Sequence, residues 1–316
     1  MSSPLESREF GALGGRVRIS VADPAAERVL PGAEAIIKHL HRDLSRFDPH
    51  SELSLLNADP RTEVEISPLM ARFLTDVIGA ARISGGLVDA TVIDAVERAG
   101  YLESTDFGRR AIPAGAVPSP HLPRHPARPN GLAAWAEVEV DWERGLVRRP
   151  AGIRFDSGGL GKGLAADLVA EALGGVAYFS VDCGGDLRTG GSAAGDFTVE
   201  VASPLQDADA VTDLTCPPGF AVATSGISRR AWLADGGEYR HHLIDPGTGL
   251  PAFTGVVQAT AVAPTAVEAE VRAKAALLVG PGNAPEWLEF GGVLVLDGGE
   301  VIEVPAEIPS GKTGSV

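Results

Sequence analysis

One stretch combines the residue types that anion chemistry needs. Phe155-Asp156-Ser157-Gly158-Gly159-Leu160-Gly161-Lys162-Gly163-Leu164-Ala165-Ala166-Asp167 sets a lysine among glycines. Glycine lets a backbone come close to a ligand, and the free N–H groups at a helix start favour anions. Lys162 adds a full positive charge. The segment reads as a phosphate cradle, and equally well as a tight strand-to-helix turn with a solvated lysine.

Further polar clusters follow apolar runs at Asp182 to Asp186, Thr224 to Gly226 and His242 to Gly249. Strand ends of this kind can converge on a site. His242 beside Asp245 has the chemistry of a base near neutral pH, or of a surface histidine next to a turn. Glu270 and Lys274 stand four apart, and their simplest reading is an exposed helical ion pair. Asp89 follows Gly85-Gly86, where a carboxylate by default caps a turn. Phe47 ends a helix, a position commoner for core than for a ligand platform.

The elements that must position these residues are legible in order. Gly158-Gly159 leads from an extended segment, Ile153 to Asp156, into a helix over Leu164 to Leu173 that stops at Gly174-Gly175. Leu164, Leu168 and Ala172 repeat every fourth residue along its buried side, with Ala165 and Val169 beside them. Upstream, residues 16–21 alternate as a strand and Ala33 to Arg46 forms a helix with Ile37, Leu40 and Leu44 on one side. Ser51 caps a short helix, and Ser67-Pro68 opens another that ends near Ser84-Gly85-Gly86. Thr105 to Asn130 is rich in proline, arginine and glycine and reads as a long surface loop. Glu137 to Trp142 alternates, with Val138, Val140 and Trp142 on one face. Strands follow at Val176 to Val181, Phe197 to Val201 and Val256 to Ala263. Thr265 and Glu268 have capping-box spacing ahead of a helix that ends at Gly280. Val293 to Leu296 and Val301 to Glu303 form a hairpin, and the tail from Pro305 is loose. Many neighbouring strands are joined as hairpins, so the fold class is α+β, with mixed, largely antiparallel sheets and packed helices.

The chain has 316 residues, a formal charge of -15 and 44% hydrophobic residues. That is enough for a large core, and the acidity argues against a nucleic-acid or anionic-membrane surface. An anionic ligand therefore needs local positive charge. Cys183 and Cys216 make neither a disulfide framework nor a zinc site. No apolar run is long enough to span a membrane, and residues 1–10 lack a signal-peptide pattern, so a cytoplasmic protein is expected.

Together the clusters resemble the FAD:protein FMN transferase family, the ApbE-like flavin transferases. Ala12-Leu13-Gly14-Gly15 is similar to that family's Ala-Met-Gly-Thr. Ser45 to Leu53 with Asn57 resembles its aromatic, Ser-Glu-Leu and Asn segment. Gly86-Leu87-Val88-Asp89-Ala90-Thr91-Val92 resembles Gly-x-Phe-Asp-x-Thr-Val. Asp156 to Asp167, Gly184-Gly185-Asp186, Thr224-Ser225-Gly226 and His242 to Gly249 complete the series. The resemblance covers about residues 10 to 300 and implies one transferase domain of T-fold-like architecture over residues 1–316. It implies FAD as donor substrate, contacted at Leu13, Phe47, Val88, Asp89, Lys162 and Leu243, with Phe47 as a stacking ring. His242, with Lys162, falls at the position implicated in transfer. The implied partner is an acceptor protein with a Thr or Ser flavinylation site, and the implied products are FMN-protein and AMP. Non-catalytic FAD carriage and FAD pyrophosphatase activity are the alternatives. Magnesium is implied at the Ala165 carbonyl and Glu270. There the chain departs, since Lys274 stands where the family has Thr. Either Lys274 takes part of the metal's role, or it turns to solvent and leaves Ala165 and Glu270 to the ion.

Overall fold

Eight antiparallel strands make the main sheet of the computed structural model, which describes residues 4–102, 123–204, 210–234 and 236–306. In chain order they are β1 (Glu6–Ala12), β2 (Gly15–Ala22), β3 (Tyr178–Cys183), β4 (Leu187–Gly190), β5 (Ala221–Gly226), β6 (Val256–Ala263), β7 (Gly292–Leu296) and β8 (Val301–Val304). They lie side by side in that same order, each antiparallel to the next. The α+β expectation holds.

β2 shows why the residues choose this form. Val17, Ile19 and Val21 alternate and are wholly buried, as one covered face requires. β6 differs, with all eight of its residues buried. Ala261 and Ala263 lie under helices, whereas Val262 packs with Val222 and Cys216 under the hairpin Phe197–Ala202/Ala210–Cys216. A strand covered on both faces reads as a continuous apolar run.

Six α-helices among the described residues accompany the sheet: α1 (Ala26–Asp43), α2 (Glu52–Ala58), α3 (Pro68–Ile83), α4 (Ile93–Arg98), α5 (Gly161–Ala172) and α6 (Ala266–Val279). The expected caps are in place. Ser51 accepts from Ser54 N, Ser67 from Met70 N and Thr265 from Glu268 N, at 3.0, 3.1 and 3.1 Å. α1 packs on β1 and β2, α5 on β3 and β4, and α6 on β5 and β6, with α5 between the other two. No helix among the described residues is long and apolar enough to cross a membrane.

Several boundaries depart from the sequence reading. α1 begins seven residues before Ala33 and carries Pro31 within it; the Pro31-Gly32 pair reads as a break. α5 starts at Gly161, and Ile153 to Asp156 is extended without being a strand. Its burial is broader than a single stripe: Leu164, Ala165, Ala166, Asp167, Val169 and Ala170 are buried, while Ala172 is exposed. Trp142 lies past the strand Glu139–Asp141, exposed, with its indole N–H donating to Thr75 Oγ1. Within the expected loop 105–130, residues 105–122 lie outside the described part. The remainder is tied down, His125 N to Phe253 O and Ala127 N to Leu278 O, at 2.9 and 2.8 Å. Residues 307–316 of the expected tail are also outside the described part.

Candidate active site

α5 and α6 cross where Gly163 meets Ala266. A Cβ on Gly163 would lie 2.7 Å from the Ala266 carbonyl oxygen, so only glycine permits this approach. The contact aligns the two helix starts. Gly163 N–H donates to Glu270 Oε2 at 3.0 Å, across from α6 to an early N–H of α5. No side chain of the preceding Leu160 can cap α5, and the Glu270 carboxylate supplies the missing acceptor. Lys274 sits one turn further along α6 and donates to Glu270 Oε1 at 3.0 Å. Glu270 and Lys274 are only 3% and 8% exposed, so the expected surface ion pair is a buried one.

The ends of β3 and β5 close the floor. The turn after β3 uses Gly184 and Gly185, both with positive φ. Lys162 Nζ donates to the Gly184 carbonyl at 3.2 Å. Asp186 is fully enclosed and accepts from Thr224 N at 3.3 Å. Burial first, and then the Glu270 charge, push its carboxyl up to about 7, against the pull of Lys162 and Lys274. Thr224 and Thr260 join through their hydroxyls at 2.9 Å across β5 and β6.

Above this floor the cleft has three connected lobes. Gly158 and Arg230 line all of them. The first holds Leu13, Leu44, Phe47, Tyr101 and Lys162. The second is mostly apolar, with Val88, Leu160, Leu243, Ile244 and Leu278 around Asp89 and His242. The third, of about 300 Å³, is charged, with Lys162, Lys274, Arg229, Asp186 and Glu270 on its walls beside His242. Lys162 joins the first and third lobes; His242 and Lys274 join the second and third.

Three sequence-derived candidates have sharper chemistry here. His242 Nδ1 lies 3.3 Å from the Arg230 carbonyl. A carbonyl only accepts, so Nδ1 carries the proton and Nε2 presents a lone pair. Burial, followed by the charges of Arg230, His241 and Lys274, holds its pKa well below the usual histidine value. Asp89 behaves as the turn reading expected, since its Oδ1 accepts from Thr91 N and Thr91 Oγ1 at 2.8 and 2.7 Å. Its Oδ2 is buried without a hydrogen-bond partner among the described residues, and burial raises its carboxyl pKa. Leu13 and Gly14 turn the β1–β2 hairpin with φ of 56° and 70°. This left-handed pair projects the Leu13 position into the first lobe.

The ApbE family profile matches residues 13–296, most of the chain. This chain belongs to the ApbE family. The FAD:protein FMN transferase of Treponema pallidum is 29% identical over 294 residues, covering 88% of this chain and 79% of that protein. The FAD:protein FMN transferase of Escherichia coli K12 is 27% identical over 299 residues, covering 92% and 82%. Among solved structures, the ApbE protein of Thermotoga maritima superposes with a TM-score of 0.75 at 25% identity, covering 95% of this chain and 97% of the other. The flavinyl transferase ApbE of Pseudomonas stutzeri shares the fold, with a TM-score of 0.73 at 19% identity, covering 97% and 96%.

Within this ApbE chain the cleft gathers Leu13, Phe47, Val88, Asp89, Lys162, His242, Leu243 and Glu270, but not Ala165. Ala165 is wholly buried inside α5 and does not line the lobes. Phe47, at 36% exposure, faces the cleft, although one of its faces is covered by the Arg46 guanidinium 4.1 Å from the ring centroid. Sequence reading missed Arg46, Tyr101 and Arg230. Arg46 stacks between Phe47 and Tyr101 and pairs with Asp156 at 3.2 Å. Its place directly before Phe47 was the available signal; nothing in the sequence marks Tyr101 or Arg230. The donor set for magnesium does not fit. The Glu270 carboxylate already carries a buried positive partner, the Lys274 ammonium at 3.0 Å, and among the described residues no three His, Cys, Asp or Glu side chains cluster as ligands.

Proposed function

We propose that this chain transfers FMN from FAD to a threonine or serine hydroxyl of an acceptor protein and releases AMP. The carrying observation is His242, whose Nε2 lone pair stands at the junction of an apolar lobe and the lysine-lined groove. The names of the relatives, FAD:protein FMN transferase, support the same reading. We read residues 1–316 as one transferase domain.

FAD is the donor substrate. Its diphosphate suits the groove between Lys162 and Lys274, and its two ring systems suit the two less polar lobes. Leu13 and Phe47 would contact one ring system, and Val88 and Leu243 the other. The unpartnered Asp89 Oδ2 is an acceptor for a ring N–H or amino group. In the reaction the acceptor oxygen bonds to the FMN-side phosphorus. The bond from that phosphorus to the bridging oxygen breaks, and the oxygen leaves with its electron pair on AMP. The hydroxyl proton passes to His242 Nε2 and then to solvent. Alignment and charge neutralisation do most of this work. No step is assigned to magnesium, because the residues at its expected position do not fit it.

Mass spectrometry of an acceptor protein after incubation with FAD tests the reading. A gain of the FMN mass on Thr or Ser supports it. Free FMN with an unmodified acceptor points to pyrophosphatase action, and unchanged FAD points to carriage; either overturns it.

A further inference from the structure

Glu270 has two carboxylate oxygens, and each has a fixed nitrogen partner at 3.0 Å: Gly163 N–H on one and Lys274 Nζ on the other. Each oxygen keeps a further lone pair, but a cation on Glu270 would have to share the carboxylate with the Lys274 ammonium, 3.0 Å from Oε1. That crowds like charges in a desolvated place, and displacing the ammonium instead would leave it buried without its partner. Lys274 does not turn to solvent. It is 8% exposed, yet it lines both the apolar lobe and the charged groove. An ammonium has three donors, and Glu270 uses one. The backbone beside it is bare, since a Cβ on Gly159 would lie 3.7 Å from Lys274 Cε.

We propose that Lys274, together with Lys162, holds the FAD diphosphate directly, so that this site binds its donor without a divalent cation. The inference rests on the transfer reading for the identity of the ligand. Lys162 comes from the start of α5 and Lys274 from α6, so the two ammonium groups approach the groove from different elements. Each can place a charge-assisted hydrogen bond on a phosphate oxygen. A divalent ion beside Lys274 would meet like-charge repulsion where little water screens it. Glu270 then orients Lys274 and caps α5, and serves as a positioning residue.

The experiment is titration of the purified protein with FAD by calorimetry, first with excess chelator and then with added magnesium. ADP is a second probe, carrying a diphosphate without the flavin. The parent should bind FAD with the same affinity in both conditions. Lys274→Met should weaken FAD and ADP about 10- to 100-fold, with no recovery on adding magnesium. Lys274→Thr should weaken binding in chelator and regain part of it with magnesium. Parent binding that requires magnesium overturns this inference while leaving the transfer reading intact. FAD that fails to bind the parent in either condition overturns both. A melting curve of each variant confirms that it is folded; Lys274→Met that is folded and binds ADP like the parent overturns the lysine's role.

Discussion

Asp167 and Glu270 cap each other's helices. Asp167, on α5, accepts from Ala266 N and Val267 N at the start of α6, at 2.9 and 3.0 Å, and from Arg188 at 2.7 Å. Glu270, on α6, accepts from Gly163 N near the start of α5 at 3.0 Å. Each carboxylate meets the positive end of the other helix dipole, and the exchange locks the two helix starts at the floor of the cleft. Asp167→Ala should strip two N–H groups of their acceptor and leave Arg188 without its carboxylate, with the Pro264 carbonyl still at 2.9 Å, at a cost of about 3–5 kcal/mol. Denaturant midpoints measure this, and a loss below about 1 kcal/mol would show that the cap carries little of the stability.

Gly163 serves this crossing rather than a ligand. Gly163→Ala would place a methyl 2.7 Å from Ala266 O and 2.9 Å from Val267 Cα, both backbone atoms. The helices must separate, at about 1–3 kcal/mol. Gly158→Ala is the control. It lies in the cleft, where the nearest atoms to its Cβ would belong to the Asp156 side chain, at 3.1 Å, and it should change stability much less. Thermal melts of the two variants decide whether the glycine segment is shaped by helix packing.

Lys162→Ala should weaken FAD binding, because a charge-assisted contact contributes about 1.5–3 kcal/mol. The fold should survive, since the lysine's own bond is to a turn carbonyl, Gly184 O at 3.2 Å. Fluorescence titration with FAD reads the change. Unchanged affinity would take Lys162 out of the diphosphate site.

His242→Ala should bind FAD nearly as the parent does and modify an acceptor about 10²–10⁴-fold more slowly. The pH profile gives a second reading. The pKa of His242 is held below its ordinary value, so the neutral base persists as pH falls through 6.5. Transfer in the parent should therefore hold its rate down to mildly acidic pH and fall only below the usual histidine range. A rate that halves near 6.5 would contradict the buried environment.

His241 carries a separate pH signature. It is wholly buried, and burial lowers its pKa to about 3. The unfolded chain takes up this proton below about 6.5, whereas the folded chain refuses it until about 3. Between those values the unfolded state binds more protons, so stability falls as pH falls, by up to about 1.4 kcal/mol per pH unit. His241→Asn keeps an acceptor for Leu243 N, which now donates to Nδ1 at 3.2 Å, and should flatten the slope. His242 contributes in the same direction, so part of the slope remains. Parallel slopes for parent and variant from pH 6.5 to 4 would refute the assignment.

Much of the fold was written locally. Ser51, Ser67 and Thr265 announce their helices because a capping hydroxyl needs only the N–H three residues on. Val256 to Ala263 announces a covered strand because six of its eight residues are Val or Ala. The motif series around Lys162 and His242 likewise identified the cleft residues, since their order along the chain is a sequence property. What tertiary structure decided is which way equivalent residues face. The helical spacing of Glu270 and Lys274 is the same on a wet face as on a dry one, and only the crossing of α5 over α6 buries the pair. His241 and His242 are adjacent and alike in sequence. Pairing of His241 with Ala231 seals the first, while its neighbour reaches the cleft. Arg230 and Tyr101 join the site across long stretches of chain, a convergence that no local pattern encodes.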